Sequence, residues 1–270
     1  MLEHRHMPDA NRLSVLSSII LLAYALARFV DLPTRDVAFQ LPGIYLAIEI
    51  NIRTIVALLV AGLAATGADW LLRGHPSIGD HKTFEHWILP ALTAYVIGLP
   101  LYQLSLGFQW WLGFAIGGAL LMLVLVAEYI SMDPNDIRHP VAALGLTAVS
   151  FALYLTMAIV LRYAGLRLFL TLPALTLAAG LVSLRALHLR LHGYWAWVES
   201  IVIALICGQI ASALHYLPLT PVSYGLLLLG PAYAVTSLIA NRTEGKTLRQ
   251  SLIEPAIVLI IVFGTALWIG

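Results

Sequence analysis

Apolar runs of about 18–22 residues alternate along this chain with short polar islands, and each run can cross a hydrocarbon core of roughly 30 Å as a helix. Windowing the runs predicts nine helices, near 13–30, 53–72, 84–104, 108–130, 140–163, 167–187, 195–216, 221–240 and 252–269. Lipid offers no partner to an open sheet edge, so the crossing segments have to be helical. The tryptophans give an independent check. Trp70, Trp87, Trp110, Trp111, Trp195, Trp197 and Trp268 all fall near predicted span ends, where an amphipathic ring prefers the headgroup level. The expectation is an all-α, polytopic transmembrane bundle forming a single integral membrane domain over residues 1–270.

Only one connection is long: residues 31–53, "DLPTRDVAFQLPGIYLAIEINIR", which follow the first helix. Pro33 and Pro42 interrupt it, and 43–50 is apolar enough to lie in the membrane interface. It is expected to be a surface helix joining two spans on the outer side, with Glu49 and Arg53 as an i,i+4 pair; a lid over an outer-leaflet opening is the functional alternative. The first helix has a rival reading. Arg5, Arg12, an apolar run and Ala25-Leu-Ala27 resemble a secretory signal with its cleavage site. Arg28 directly after that site and the length of the run favour a retained helix; cleavage would leave eight. A weak repetition is also present. Pro-Ala pairs begin at Pro90, Pro173 and Pro255, near the starts of the third, sixth and ninth predicted helices. An odd-numbered period would invert successive units, a transporter-like pattern. Pro231-Ala lies off the period, however, and proline near a helix start is ordinary.

Composition agrees with the pattern. The chain is 60% hydrophobic and 11% charged, against about 25% charge in a soluble domain, and its mean hydropathy is +0.89. Net charge is only +1 with no long basic block, so nucleic acid is not an expected partner. The single cysteine, Cys207, cannot form an internal disulfide. Of the fifteen Lys and Arg residues, ten (Arg5, Arg12, Arg73, Lys82, Arg138, Arg185, Arg190, Arg242, Lys246, Arg249) lie on the side shared by the N-terminus and the even-numbered loops. Arg28, Arg35, Arg53, Arg162 and Arg167 lie on the other. The positive-inside rule then places the N-terminus in the cytoplasm and the C-terminus outside.

A charge at the bilayer centre costs about 2.5–3.5 kcal/mol on insertion scales, so mid-span acids and bases point to function. They are nearly absent here. Asp69, Glu85, His86, Glu128, Arg185, Glu199 and Glu254 all fall within about two turns of the predicted cytoplasmic ends, leaving neutral groups such as Thr66, Ser150 and Gln209 at mid-depth. That zoning argues against a pump with a carboxylate relay. It favours a rim of ion pairs or a site facing the cytoplasmic leaflet.

The stretch "HLRLHGYWAWVES", 188–200, is the most site-like. If the sixth helix continues past Leu187, Arg185, His188 and His192 share a face as a basic stripe at a helix C-terminus, where the macrodipole favours positive charge. Such side chains snorkel to headgroups or pair with Glu128 or Glu199. If they form a site, it is one for an anionic headgroup or phosphate, built from Arg185, His188 and His192 with Glu128 and Glu199 as partners. No metal site is expected, because two histidines and one distant carboxylate are a minimal ligand set and Arg185 repels a cation. Asp133-Pro-Asn-Asp136 is a lone DxxD and reads as a turn with Asp133 as its cap. Asn241-Arg-Thr243 matches a glycosylation sequon but falls on the predicted cytoplasmic side. P-loop, H-E-x-x-H and G-x-S-x-G motifs are absent from the sequence, and no cofactor is implied.

Three runs, "INIRTIVALLVAGLAATGADWLLR", "HWILPALTAYVIGLPL" and "LFLTLPALTLAAGLVSLRALHLRLHG", resemble an uncharacterised family of multi-pass membrane proteins of Chloroflexota-type bacteria. The resemblance implies a bacterial inner membrane and carries over no catalytic residue. The function expected from these features is non-enzymatic: an accessory, scaffold or lipid-binding membrane protein whose partners are lipids and other membrane subunits. A transporter of a neutral or lipophilic solute and a lipid- or isoprenoid-modifying enzyme are the two alternatives.

Overall fold

The computed structural model describes residues 8–29, 35–41, 44–50, 52–75, 83–134, 136–191 and 193–269, the backbone alone at 35–41, 44–50 and 52–54. Among these residues nine helices are long and apolar enough to cross a membrane. They fall into two compact units, residues 1–129 and 130–270. The protein is a multi-pass helical membrane protein, as the apolar pattern predicts.

The first unit contains α1 (Ala10–Phe29), α2 (Ile52–Leu72), α3 (Ile88–Gln103) and all but the last two residues of α4 (Phe108–Ser131). Leu16, Ile20 and Tyr24 of α1 are buried in one cluster with Val60 and Ala64 of α2 and Ile97 of α3. Glycine lets the helices approach this closely. A Cβ on Gly67 would collide with Leu16, and one on Gly117 with Ile97. The Tyr24 hydroxyl donates to the Ala94 carbonyl, which seats α1 against α3.

Between α1 and α2 the expectation of a surface helix fails. Strands β1 (Arg35–Leu41) and β2 (Ile44–Ile50) pair antiparallel, with Leu41 opposite Ile44 and Arg35 opposite Ile50. The reason is local. The sequence at 42–43 is Pro-Gly, which a helix cannot traverse readily, and the flanks are rich in β-branched and aromatic residues. Glu49 therefore stands opposite Asp36 in the register and is not one helical turn from Arg53.

The second unit holds α5 (His139–Tyr163), α6 (Leu168–Arg190), α7 (Trp197–His215), α8 (Pro221–Thr243) and α9 (Leu248–Ile269). Small residues again set the spacing: a Cβ on Gly208 would come within 2.6 Å of Thr176 on α6, and one on Gly225 within 2.7 Å of Ile159 on α5. Units of four and five helices do not correspond to a three-helix period.

Candidate functional site

In the second unit α8 and its C-cap carry a polar stripe at helical spacing: Tyr233, Ser237 and Asn241 in the helix and Glu244 just past its end. Its end is shaped by Gly245, whose φ of 82° lets the chain reverse. The Lys246 N–H bonds to the Asn241 carbonyl and the Gly245 N–H to the Arg242 carbonyl, the two closures of a Schellman motif. That reversal brings Lys246 back over the stripe and starts α9 with Ser251 and Glu254 beside it.

Arg190, the last residue of α6, occupies the centre of this cluster. Its Nε donates to Glu244 Oε1 at 2.9 Å, Nη2 to Asn241 Oδ1 at 2.7 Å and Nη1 to Ser237 Oγ at 3.2 Å. Glu254 Oε2 is 3.9 Å from Nη2, and the other oxygen of Glu254 accepts from the Tyr233 hydroxyl at 2.7 Å. Lys246 Nζ lies 2.8 Å from Glu244 Oε2 and donates to Asn241 Oδ1 at 2.7 Å. Asn241 Nδ2 reaches the Ser251 carbonyl at 3.4 Å. The Lys246 ammonium and then the Arg190 guanidinium hold the Glu244 carboxyl below the usual carboxylate range. The candidate glycosylation asparagine is thus a buried node, 1% exposed, tying three helices together.

The first unit has its own polar cluster where α2 ends and α3 begins. Asp69 accepts from Arg73 Nε at 2.8 Å, one turn on, and from the Thr83 hydroxyl just before the single 3₁₀ turn Phe84–His86. His86 follows. Its Nδ1 lies 2.7 Å from Glu128 Oε2 of α4 and its Nε2 3.3 Å from Glu85 Oε1. Both contacts are hydrogen bonds only when both ring nitrogens carry protons. His75 packs edge-on against Tyr129, with ring centroids 4.5 Å apart.

The residues singled out from sequence are distributed differently from expectation. Arg185 and His188 do share a helix face, but that face is buried, at 1% and 7% exposure, so neither snorkels to solvent. His188 lies against Trp195, which stacks on Trp197 at 5.1 Å. His192 lies outside the described residues. Glu128 is buried at 1%, and one of its oxygens meets His86 within the first unit. Glu199 forms no ion pair among the described residues, so the expected pairing with Arg185 or His188 is absent; it lies in the first turn of α7, where the helix dipole favours a carboxylate without a partner. In the turn that leads into α5, Asp136 accepts from the Arg138 N–H at 2.9 Å, and the Asp136 N–H donates to the Asp133 carbonyl. Among the described residues no group of three or more His, Cys, Asp or Glu side chains is arranged to hold a metal ion.

A family model described as a protein of unknown function, DUF5656, matches residues 32–269. The chain belongs to DUF5656. The match covers α2 through α9 and so includes both polar clusters. No curated protein and no solved structure matches the chain. The resemblance to an uncharacterised family is therefore correct for this DUF5656 member.

The Arg190 cluster was not singled out from sequence, although a signal for it exists. Residues 233, 237, 241 and 244 recur at helical spacing on a helix otherwise fit for lipid, and 251 and 254 repeat the spacing on α9. Three of the four stripe residues on the α8 side are uncharged, so a search weighted towards histidine and carboxylate passes over it.

Proposed function

We propose that the protein is a non-enzymatic, lipid-binding scaffold of the bacterial inner membrane, with its N-terminus and the Arg190 cluster on the cytoplasmic side. One observation carries the reading. Three of the four carboxylate oxygens of Glu244 and Glu254 are held at hydrogen-bond distance by Arg190, Lys246 and Tyr233, and the fourth, Oε2 of Glu254, lies 3.9 Å from Arg190. A general acid or base needs a free approach to the proton it moves. Glu244, held on both oxygens, and Glu254, held on one, supply rigidity instead, and their placement near span ends avoids the cost of charge at mid-depth. The ten-to-five bias of basic residues supports the orientation, and family membership brings no catalytic motif with it.

The test is reconstitution of the purified full chain into vesicles of total bacterial lipid, with lipid masses followed over time and solute flux measured in parallel. A scaffold leaves the lipid masses unchanged and the vesicles tight. New lipid species whose formation Glu254→Gln suppresses would establish an enzyme, and saturable solute flux would establish a transporter; either refutes the proposal.

A further inference from the structure

The opposite end of the second unit, where α5 and α7 finish and α6 and α8 begin, has a different electrostatic character. All five acidic residues of 130–270, Asp133, Asp136, Glu199, Glu244 and Glu254, precede α5, open α7, or lie around the α8–α9 turn. None lies at the Arg162 end, which carries Arg162 and Arg167. Arg162, in the last turn of α5, uses Nη1 and Nη2 to cap α7, donating to the His215 carbonyl at 2.6 Å and the Leu217 carbonyl at 2.7 Å. Its guanidinium carbon lies 5.2 Å from the centre of the Tyr224 ring. These partners are neutral, so the charge of Arg162 is hydrogen-bonded and not cancelled.

Beside it is a cavity of about 100 Å³ lined by Leu161, Arg162, Gly165, Leu166, Thr171 and His215. Its size suits a polar group of several heavy atoms, since a single water needs only about 10–15 Å³ of such space. The Nδ1 atom of His215 is buried and has no hydrogen-bond partner. Thr171 belongs to the first turn of α6, which opens at Arg167 without a side-chain cap. An uncancelled guanidinium, an unused imidazole nitrogen and an uncapped helix start around one small cavity are complementary to a phosphate oxyanion. The cavity is at a span end, the depth of lipid headgroups.

From this we infer that the Arg162–His215 cavity binds a phosphate oxyanion, supplied by the headgroup of a phospholipid. The inference names a site for the lipid binding proposed above and rests on that part of the reading, but not on the Arg190 cluster, so its failure leaves the vesicle test of the scaffold standing.

The full chain in detergent is titrated with short-chain phosphatidylglycerol, with inorganic phosphate and with the matching diacylglycerol, and its melting temperature is followed. Phosphatidylglycerol raises it, whereas diacylglycerol, which lacks the phosphate, does not. His215→Phe fills the cavity while leaving the backbone carbonyl that Arg162 caps, and it abolishes the response. Arg162→Lys keeps the charge but not the fork, and weakens apparent affinity about tenfold. A response to inorganic phosphate alone keeps the oxyanion site and assigns its source to free phosphate. Equal responses to phosphatidylglycerol and diacylglycerol, or variants that respond like the wild type, overturn the inference.

Discussion

Replacing Arg190 with methionine keeps most of the apolar stem and removes the fork that joins α6 to α8 and α9. The magnitude follows from its three hydrogen bonds. The bond to Asn241, at 2.7 Å between a cation and a buried amide, contributes about 1 kcal/mol after desolvation. The bonds to Glu244 and Ser237 contribute about half as much each, because the Arg190 side chain is 32% exposed and its pairing with Glu244 is screened. No carboxylate is stranded by the change, since Glu244 retains Lys246 and Glu254 retains Tyr233. The loss is therefore about 2 kcal/mol, not the 3–5 kcal/mol of an orphaned buried charge. Cys207 supplies the assay. It is the single cysteine of the chain and is 1% exposed within the second unit, so its labelling by a thiol reagent under mild SDS reports opening of that unit. Arg190→Met should raise the labelling rate about 30-fold where opening is in rapid equilibrium. A change of less than about twofold would mean that the network decorates the helix ends without fastening them.

Acid should weaken the same fastening. Lys246 and Arg190 hold the Glu244 carboxyl below its ordinary pKa of 4.5 in the folded state, so its contribution is complete above that value and is lost as the pH falls below it; the SDS midpoint should be flat above the ordinary carboxylate range and drop on acidification below it, and Glu244→Gln should show a smaller drop. Gly225→Leu tests the α5–α8 contact: the new side chain would meet Ile159 and Leu155 at once, with the Leu155 carbonyl 3.4 Å from its Cβ, so a loss of about 1–3 kcal/mol is expected in the same SDS titration, and an unchanged midpoint would show that these helices are not held at glycine distance.

What could be read from sequence divides along a physical line. The spans were legible because twenty consecutive apolar residues are a one-dimensional signal: the fourth was expected at 108–130 and runs Phe108–Ser131, and the ninth was placed only a turn late. The hairpin was not legible, because an apolar segment as short as 44–50 has the same hydropathy as strand or interfacial helix, and a proline at 42 interrupts either. The polar rim lies between these cases. Its position near helix ends follows from the cost of burying charge in lipid and was correctly expected. Its pairings depend on which helix faces meet, and glycines set that through the approach of backbones. Arg190 is two residues from His188 and so points roughly 200° away round the helix; the stripe that drew attention, Arg185 and His188, faces into protein, while the arginine on the other side organises the rim. Asn241 makes the point most directly. Read along the chain it is the first residue of a sequon, whereas in the fold it accepts from Arg190 and Lys246 and donates to Ser251. In lipid a neutral amide can occupy such a node at far lower insertion cost than a carboxylate, and it still fixes the geometry of two cations. Residues of this kind carry architecture without carrying charge, and for that reason a search for titratable groups does not find them.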